Sequence, residues 1–197
     1  MPSLRAVPGE PLLVVPRGAR DFVAAGLGRA YADRCVELAP GEDTTVRGVR
    51  VRAVEAAHPG GRGPWSKAQA AAVGFVVEGT VRTWYAGDTG LFDGMAALGP
   101  FDLALVPVGG WGPTLGAHGH LDAGDAAEAL RRVKASWAVP VHYGTFWPMG
   151  LRRVRAHMFD EPGATFARLA ASAAPDTRVR VLAQGETLTI AREDDRP

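Results

Sequence analysis

A mixed α/β fold in a single domain is the architecture the sequence predicts, and three observations predict it. Short apolar runs closed by Gly or Pro recur along the chain as strands, segments of helical spacing stand between them, and two strand-like segments flank a three-residue turn. Residues 1–197 are enough for one well-buried core and too few for two independent domains.

Leu12-Leu13-Val14-Val15, closed by Pro16 and Gly18, reads as a strand buried on both faces. Arg20 to Leu27 reads as a short helix. From Val46 the pattern alternates through Val49-Arg50-Val51-Arg52-Ala53, which predicts a strand with one wet face running into Ala57-His58. Pro59-Gly60-Gly61-Arg62-Gly63-Pro64 is too rich in breakers to be anything but loop. Val73 to Val77 and Val81 to Ala86, separated by Glu78-Gly79-Thr80, predict a hairpin. Its second strand ends at Gly87-Asp88-Thr89-Gly90.

A short helix is expected around Phe92 to Leu98, then a buried strand over Asp102 to Val108 that opens into Gly109-Gly110-Trp111-Gly112-Pro113. Asp122 or Asp125 can cap a helix with Ala126, Leu130, Val133 and Trp137 on one face. That helix leads to the strand Val139-Pro140-Val141-His142. A last helix near Thr165 to Ala173 and strands over Val179 to Leu182 and Thr187 to Ile190 complete the expected elements.

Composition narrows the function. Lys+Arg 22 against Asp+Glu 21 leaves a net charge of +1, and no basic patch with interleaved aromatics recommends a nucleic-acid partner. A small-molecule partner is the expectation. No apolar run is long enough to span a bilayer and the N-terminal residues lack an export signal, so the expected setting is the cytoplasm. The single cysteine, Cys35, reads as core filler and leaves His, Asp and Glu as the available metal ligands.

Three expected strands end at such a residue: His58, Asp88 and His142. Two imidazoles and a carboxylate are a chemically sensible minimum for a catalytic zinc, because three protein ligands leave a position for water. Such an ion lowers the pKa of its water to about 7 and polarises the oxygen under attack. On spacing alone, each residue also has a structural explanation: a lone histidine near a strand end is commonly packed or solvated, and Gly87-Asp88 suits an ordinary turn.

The surrounding motifs carry a resemblance. Tyr85-Ala86-Gly87-Asp88-Thr89-Gly90 resembles the strand-end aspartate motif of the metallo-β-lactamase superfamily. Ala56-Ala57-His58 followed by Gly61-Arg62-Gly63, and Pro140-Val141-His142-Tyr143-Gly144-Thr145-Phe146, are similar to histidine motifs of its branch containing the N-acylphosphatidylethanolamine phospholipase D and lactonase-like enzymes. The match runs from about Leu12 to Ile190. It implies a metallo-β-lactamase-like four-layer αββα sandwich, N-terminally truncated to its last two-thirds. It also implies a site of one or two zinc ions, with manganese or iron as alternatives. His58 would complete the first metal site, Asp88 would bridge, and His142 would belong to the second. Four further ligands, in a His-x-His-x-Asp-His motif, would stand upstream of the His58 strand, and the sequence does not contain that motif there.

His118-Gly119-His120-Leu121-Asp122 has the lettering of half that motif but follows Asp88 and runs into a helix. The resemblance places it in the loop at the active-site mouth, which makes His120 a group that supports the metal ligands or contacts the substrate, with Asp88 as the catalytic carboxylate, and His118 a surface residue. Trp111 offers an apolar wall for substrate, or an anchor for its glycine-rich loop. Tyr143, adjacent to His142, points to the opposite face of a continuing strand and so to the core. His157, among Arg152, Arg153 and Arg155, reads as a solvated helix face.

The implied function is hydrolysis of an ester, lactone, phosphodiester or amide bond by a metal-bound hydroxide. The alternative is a truncated or degenerate, non-catalytic member of the fold acting as a binding module. Metal stoichiometry separates them, since His58, Asp88 and His142 alone would hold at most one ion weakly. An unpaired edge near Leu12 to Val15 would favour a homo-oligomer.

Overall fold

A computed structural model of the chain describes residues 2–60, 70–110, 119–144 and 161–190. Trp111, His118, His157 with Arg152, Arg153 and Arg155, the loop 61–64 and the pair Thr145-Phe146 lie outside the described residues.

The chain opens with a one-turn helix, α1 (Pro2–Arg5), and strand β1 (Leu13–Pro16). Helices α2 (Arg20–Leu27) and α3 (Arg29–Ala32) form the crossover to β2 (Cys35–Leu38), which pairs parallel with β1. Parallel neighbours require such a crossover, and here it is tied down by Arg20. The Arg20 guanidinium donates to Glu37 and to the carbonyls of Ala32 and Cys35. Cys35 is buried, as core filler should be.

The remaining strands form one seven-stranded sheet: β3 (Asp43–Val46), β4 (Val49–Glu55), β5 (Val73–Glu78), β6 (Arg82–Tyr85), β7 (Phe101–Pro107), β8 (Ala135–Val141) and β9 (Arg178–Val179). β3 to β6 pair antiparallel, and β6 to β9 pair parallel. A 3-10 turn, Asp93–Ala97, links β6 to β7. Helix α4 (Ala123–Val133) links β7 to β8, and helix α5 (Pro162–Ala173) precedes β9.

Burial shows how the layers form. Ala53 and Val54 are neighbours on β4 and both are buried, on opposite faces. Val54 joins the main core with Trp84, Val106, Leu130 and Phe166, so α4 and α5 cover that face. Ala53 packs with Leu38, Val73, Val14 and Val36, so the β1-β2 sheet covers the other face of β4 and β5.

Several expectations change. Leu13–Pro16 is partly exposed throughout and Leu12 is 45 % exposed, because β1 has only β2 beside it among the described residues instead of lying within a sheet. The open edge expected there is therefore the edge of the small sheet. Strands β2 (Cys35-Val36-Glu37-Leu38) and β3 (Asp43-Thr44-Thr45-Val46) carry neither a continuous apolar run nor a turn-bounded alternation and are not legible in the sequence. Trp137 does not continue the α4 face: Lys134 adopts the left-handed conformation (φ 52°) and ends the helix, and Trp137 pairs with Leu103 in the sheet. Of the two final strands only Arg178–Val179 forms, and 187–190 has no ladder partner among the described residues. No helix among the described residues is long and apolar enough to cross a membrane.

Asp122 is the cap of α4. Its Oδ1 accepts from the amides of Gly124 (2.8 Å) and Asp125 (2.9 Å). Replacing Asp122 with Ala removes both acceptors and is expected to lower unfolding stability by about 0.5–2 kcal/mol, read from a urea titration; an unchanged midpoint would show that the cap contributes nothing.

Candidate metal centre

The sheet topology gathers the site. β4 and β6 are each antiparallel to β5 and hence parallel to one another, and β7 and β8 run parallel to β6. Their C-terminal ends therefore share one edge of the sheet, where open α/β sheets build their sites. His58 lies beyond the end of β4, Asp88 beyond β6 and His142 at the end of β8. His120 arrives on the segment that leads from β7 into α4.

One ligand atom each from His58, Asp88 and His120 lie within 4.8 Å of one another. His58 Nε2 is 3.2 Å from His120 Nε2, and the rings meet edge to face with centroids 4.7 Å apart. His142 Nε2 is 3.4 Å from Asp88 Oδ1, and its ring lies parallel to that of His120 at 6.4 Å. Asp88 thus stands between the His58-His120 pair and His142, and its side chain is 46 % exposed.

The donor chemistry fits a divalent transition metal. Ligand atoms about 2.0–2.2 Å from a tetrahedral ion are roughly 3.4 Å apart, close to the 3.2 and 3.4 Å separations here. His58 Nδ1 lies 2.7 Å from the carbonyl of Pro59, which can only accept, so this nitrogen carries the proton. In the neutral ring Nε2 then carries a lone pair aimed at His120 Nε2 in the cluster, the orientation a metal-ligating imidazole needs. Burial, then the neighbouring His58, pushes the His120 pKa down, with His142 adding to the effect and Asp88 opposing it. His120 therefore favours its neutral, ligand-competent form.

His142 is held in the left-handed region (φ 59°), an uncommon conformation for a residue other than glycine. It ends the strand and turns the ring away from the continuing sheet. The neighbouring chain permits this: a Cβ on Gly109 would come within 2.3 Å of the His142 carbonyl oxygen. Val108, just before it, donates to the Val141 carbonyl at 3.1 Å. Tyr143 packs against the main core, and a Cβ on Gly163 would meet its hydroxyl at 2.5 Å, so the residue after His142 is a core anchor.

A cleft of about 420 Å³ opens beside the cluster. It is lined by His58, Asp88 and Tyr85 together with the apolar Pro16, Phe22 and Val73. Phe22 and Tyr85 were not singled out in the sequence, since aromatics at those spacings read equally well as packing. The Tyr85 hydroxyl pKa is raised, first by partial burial and then by Asp88.

Gly109→Ala is expected to displace His142, lowering stability by about 1–3 kcal/mol and weakening metal binding at the same time. Isothermal titration with zinc alongside thermal unfolding reads both. Unchanged zinc affinity would show that Gly109 does not govern the placement of His142.

Comparisons with known proteins identify the family and the fold. The beta-lactamase superfamily domain model matches residues 1–143. A metal-dependent hydrolase (UPF0173) from Thermoplasma acidophilum is 33% identical over 114 residues, covering 56% of this chain and 47% of that protein. One from Nitratidesulfovibrio vulgaris is 29% identical over 179 residues, covering 88% and 65%. The chain spans about half the length of the first two curated relatives it matches, at 47% and 56%. Among solved structures, a metallo hydrolase from Ignicoccus hospitalis superposes with a TM-score of 0.68 at 21% identity, covering 91% of this chain and 69% of that one. An isothiocyanate hydrolase from Delia radicum gut bacteria gives 0.61 at 15% identity, covering 96% and 71%. At such identities the likeness speaks for the fold. With the strand-end aspartate, the two histidine motifs and the matched domain in agreement, the chain belongs to the beta-lactamase superfamily domain family and has the metallo-β-lactamase fold.

Proposed function

We propose that this chain carries the metal centre of a metal-dependent hydrolase that cleaves an ester, lactone, phosphodiester or amide bond in a small molecule. The observation that carries the reading is the convergence of His58, Asp88 and His120 within 4.8 Å, with His142 3.4 Å from the same carboxylate. The names of the relatives point the same way, being metal-dependent hydrolases.

His58 and Asp88 would hold one ion, with Asp88 shared toward His142. His120 stands close enough to His58 to act as a further ligand or to contact the substrate. Imidazole and carboxylate donors suit zinc, and manganese or iron are chemically compatible. A bound divalent cation supplies Lewis acidity and makes a water nucleophile available at neutral pH. The protein's own contribution is placement: His58 is oriented by Pro59, and Asp88 is presented at the sheet edge. The apolar wall of the cleft would receive an uncharged part of the substrate while Tyr85 faces its polar end. Trp111, as a further substrate contact, belongs to the same proposal. The open edge of β1 would support self-association.

A second reading, a binding module of the same fold, is supported by the small donor set: among the described residues His58, Asp88 and His120 are the group within ligand distance of one another. Metal content separates the two, because a stably held pair of ions needs more than three donors.

Asp88→Ala tests the leading reading. The substitution should abolish turnover of a responsive ester or phosphodiester and lower bound metal, measured by elemental analysis, in the same preparation. Activity retained with metal lost would remove the mechanism.

A further inference from the structure

We propose that Thr89 is the positioning residue of the metal centre: its side chain and carbonyl tie together the three backbone segments that carry His58, Asp88 and His120. This rests on reading those side chains as ligands. Thr89 is the single fully buried polar side chain among the described residues, at 0 % exposure, although it follows the exposed Asp88. Its Oγ1 accepts from the amide of Ala57, the residue before His58, at 2.9 Å. The same hydroxyl donates to the Gly90 carbonyl at 2.8 Å. Its own carbonyl accepts from the amide of Leu121, the residue after His120, at 2.8 Å. The Gly90 amide closes the knot by donating to the Ala57 carbonyl at 2.9 Å.

Each bond acts one residue away from a ligand, so a displacement at Thr89 passes to the ligand's Cα with little slack. The hydroxyl is needed as donor and acceptor together, a combination serine keeps and valine lacks. Without it the Ala57 amide is left unpaired and must shift to find another acceptor, moving His58 with it. Structural support alone would lower stability without altering affinity in the molecules that stay folded.

The test compares cobalt(II) affinity, followed by its visible absorption, in the unsubstituted chain, Thr89→Val, Thr89→Ser and Val133→Ala, under conditions where circular dichroism shows each folded. Val133 is fully buried at the other end of α4 and controls for lost stability. Thr89→Val should bind cobalt about 10–100-fold more weakly, as expected for a group that orients ligands. Thr89→Ser and Val133→Ala should stay within about threefold. Thr89→Val within that range, or Thr89→Ser falling as far as Thr89→Val, overturns the assignment while the metal reading stands. An unsubstituted chain that binds no cobalt overturns the metal reading and the assignment with it. Hydrogen exchange on the unsubstituted chain keeps the question open to refutation even if Thr89→Val does not fold. The Ala57 and Leu121 amides should be protected and slow further with cobalt, and exchange at solvent rates would overturn the knot.

Discussion

The shared direction of β4, β6, β7 and β8 is the constraint on which the site depends. His58, Asp88 and His142, far apart in sequence, meet because the strands that carry them end on the same side of one sheet. The antiparallel turn through β5 reverses the chain twice and restores the direction of β4 in β6, and the parallel pairs carry it on to β8. Burial enforces this order: Ala104, Val106 and Ala138 are all fully buried against α4 and α5, so slipping β7 or β8 by one residue would put its core face on the wrong side. A stable hydrophobic register thus sets the spacing of polar groups at the strand ends.

At that edge the chain accepts local costs that a purely structural turn would avoid. Three imidazoles crowd within reach of one carboxylate, and burial together with neighbouring rings disfavours a proton on His120. His142 occupies a left-handed backbone conformation with its next residue partly buried against the core. Such arrangements persist only where the surroundings over-determine them. Here Gly109 lets the neighbouring backbone approach, Tyr143 anchors one side, and the Thr89 hydrogen bonds hold the opposite loops.

The two faces of the sheet are treated differently. α4 and α5 seal one face with a continuous core, and the β1-β2 sheet covers the other at β4 and β5. Val54 and Ala53, adjacent in sequence and buried in different clusters, mark the division. The cleft lies where Pro16 of β1 and Phe22 of the crossover come alongside Tyr85, His58 and Asp88. The candidate ligand cluster and apolar side chains are thereby brought together from separate parts of the fold.

Much was determined by the sequence itself. Helix α2, the β5-β6 hairpin, the Asp122 cap and the placement of His58, Asp88 and His142 at strand ends were legible because periodicity, turn residues and capping chemistry are local properties. β2 and β3 were not, since Glu37 interrupts the apolar run of the first and Asp43-Thr44-Thr45 leaves the second without one, and Trp137 continues the helical spacing of α4 while pairing with Leu103 decides its state. His120 shows the wider limit. The family resemblance of its segment implied a group at the mouth of the site, and only the fold brings its Nε2 to 3.2 Å from His58. Thr89 had no local signal at all beyond its place in the motif. Its role comes from backbone amides 32 residues away on either side, at Ala57 and Leu121, and which buried donor meets which acceptor is decided by packing in three dimensions.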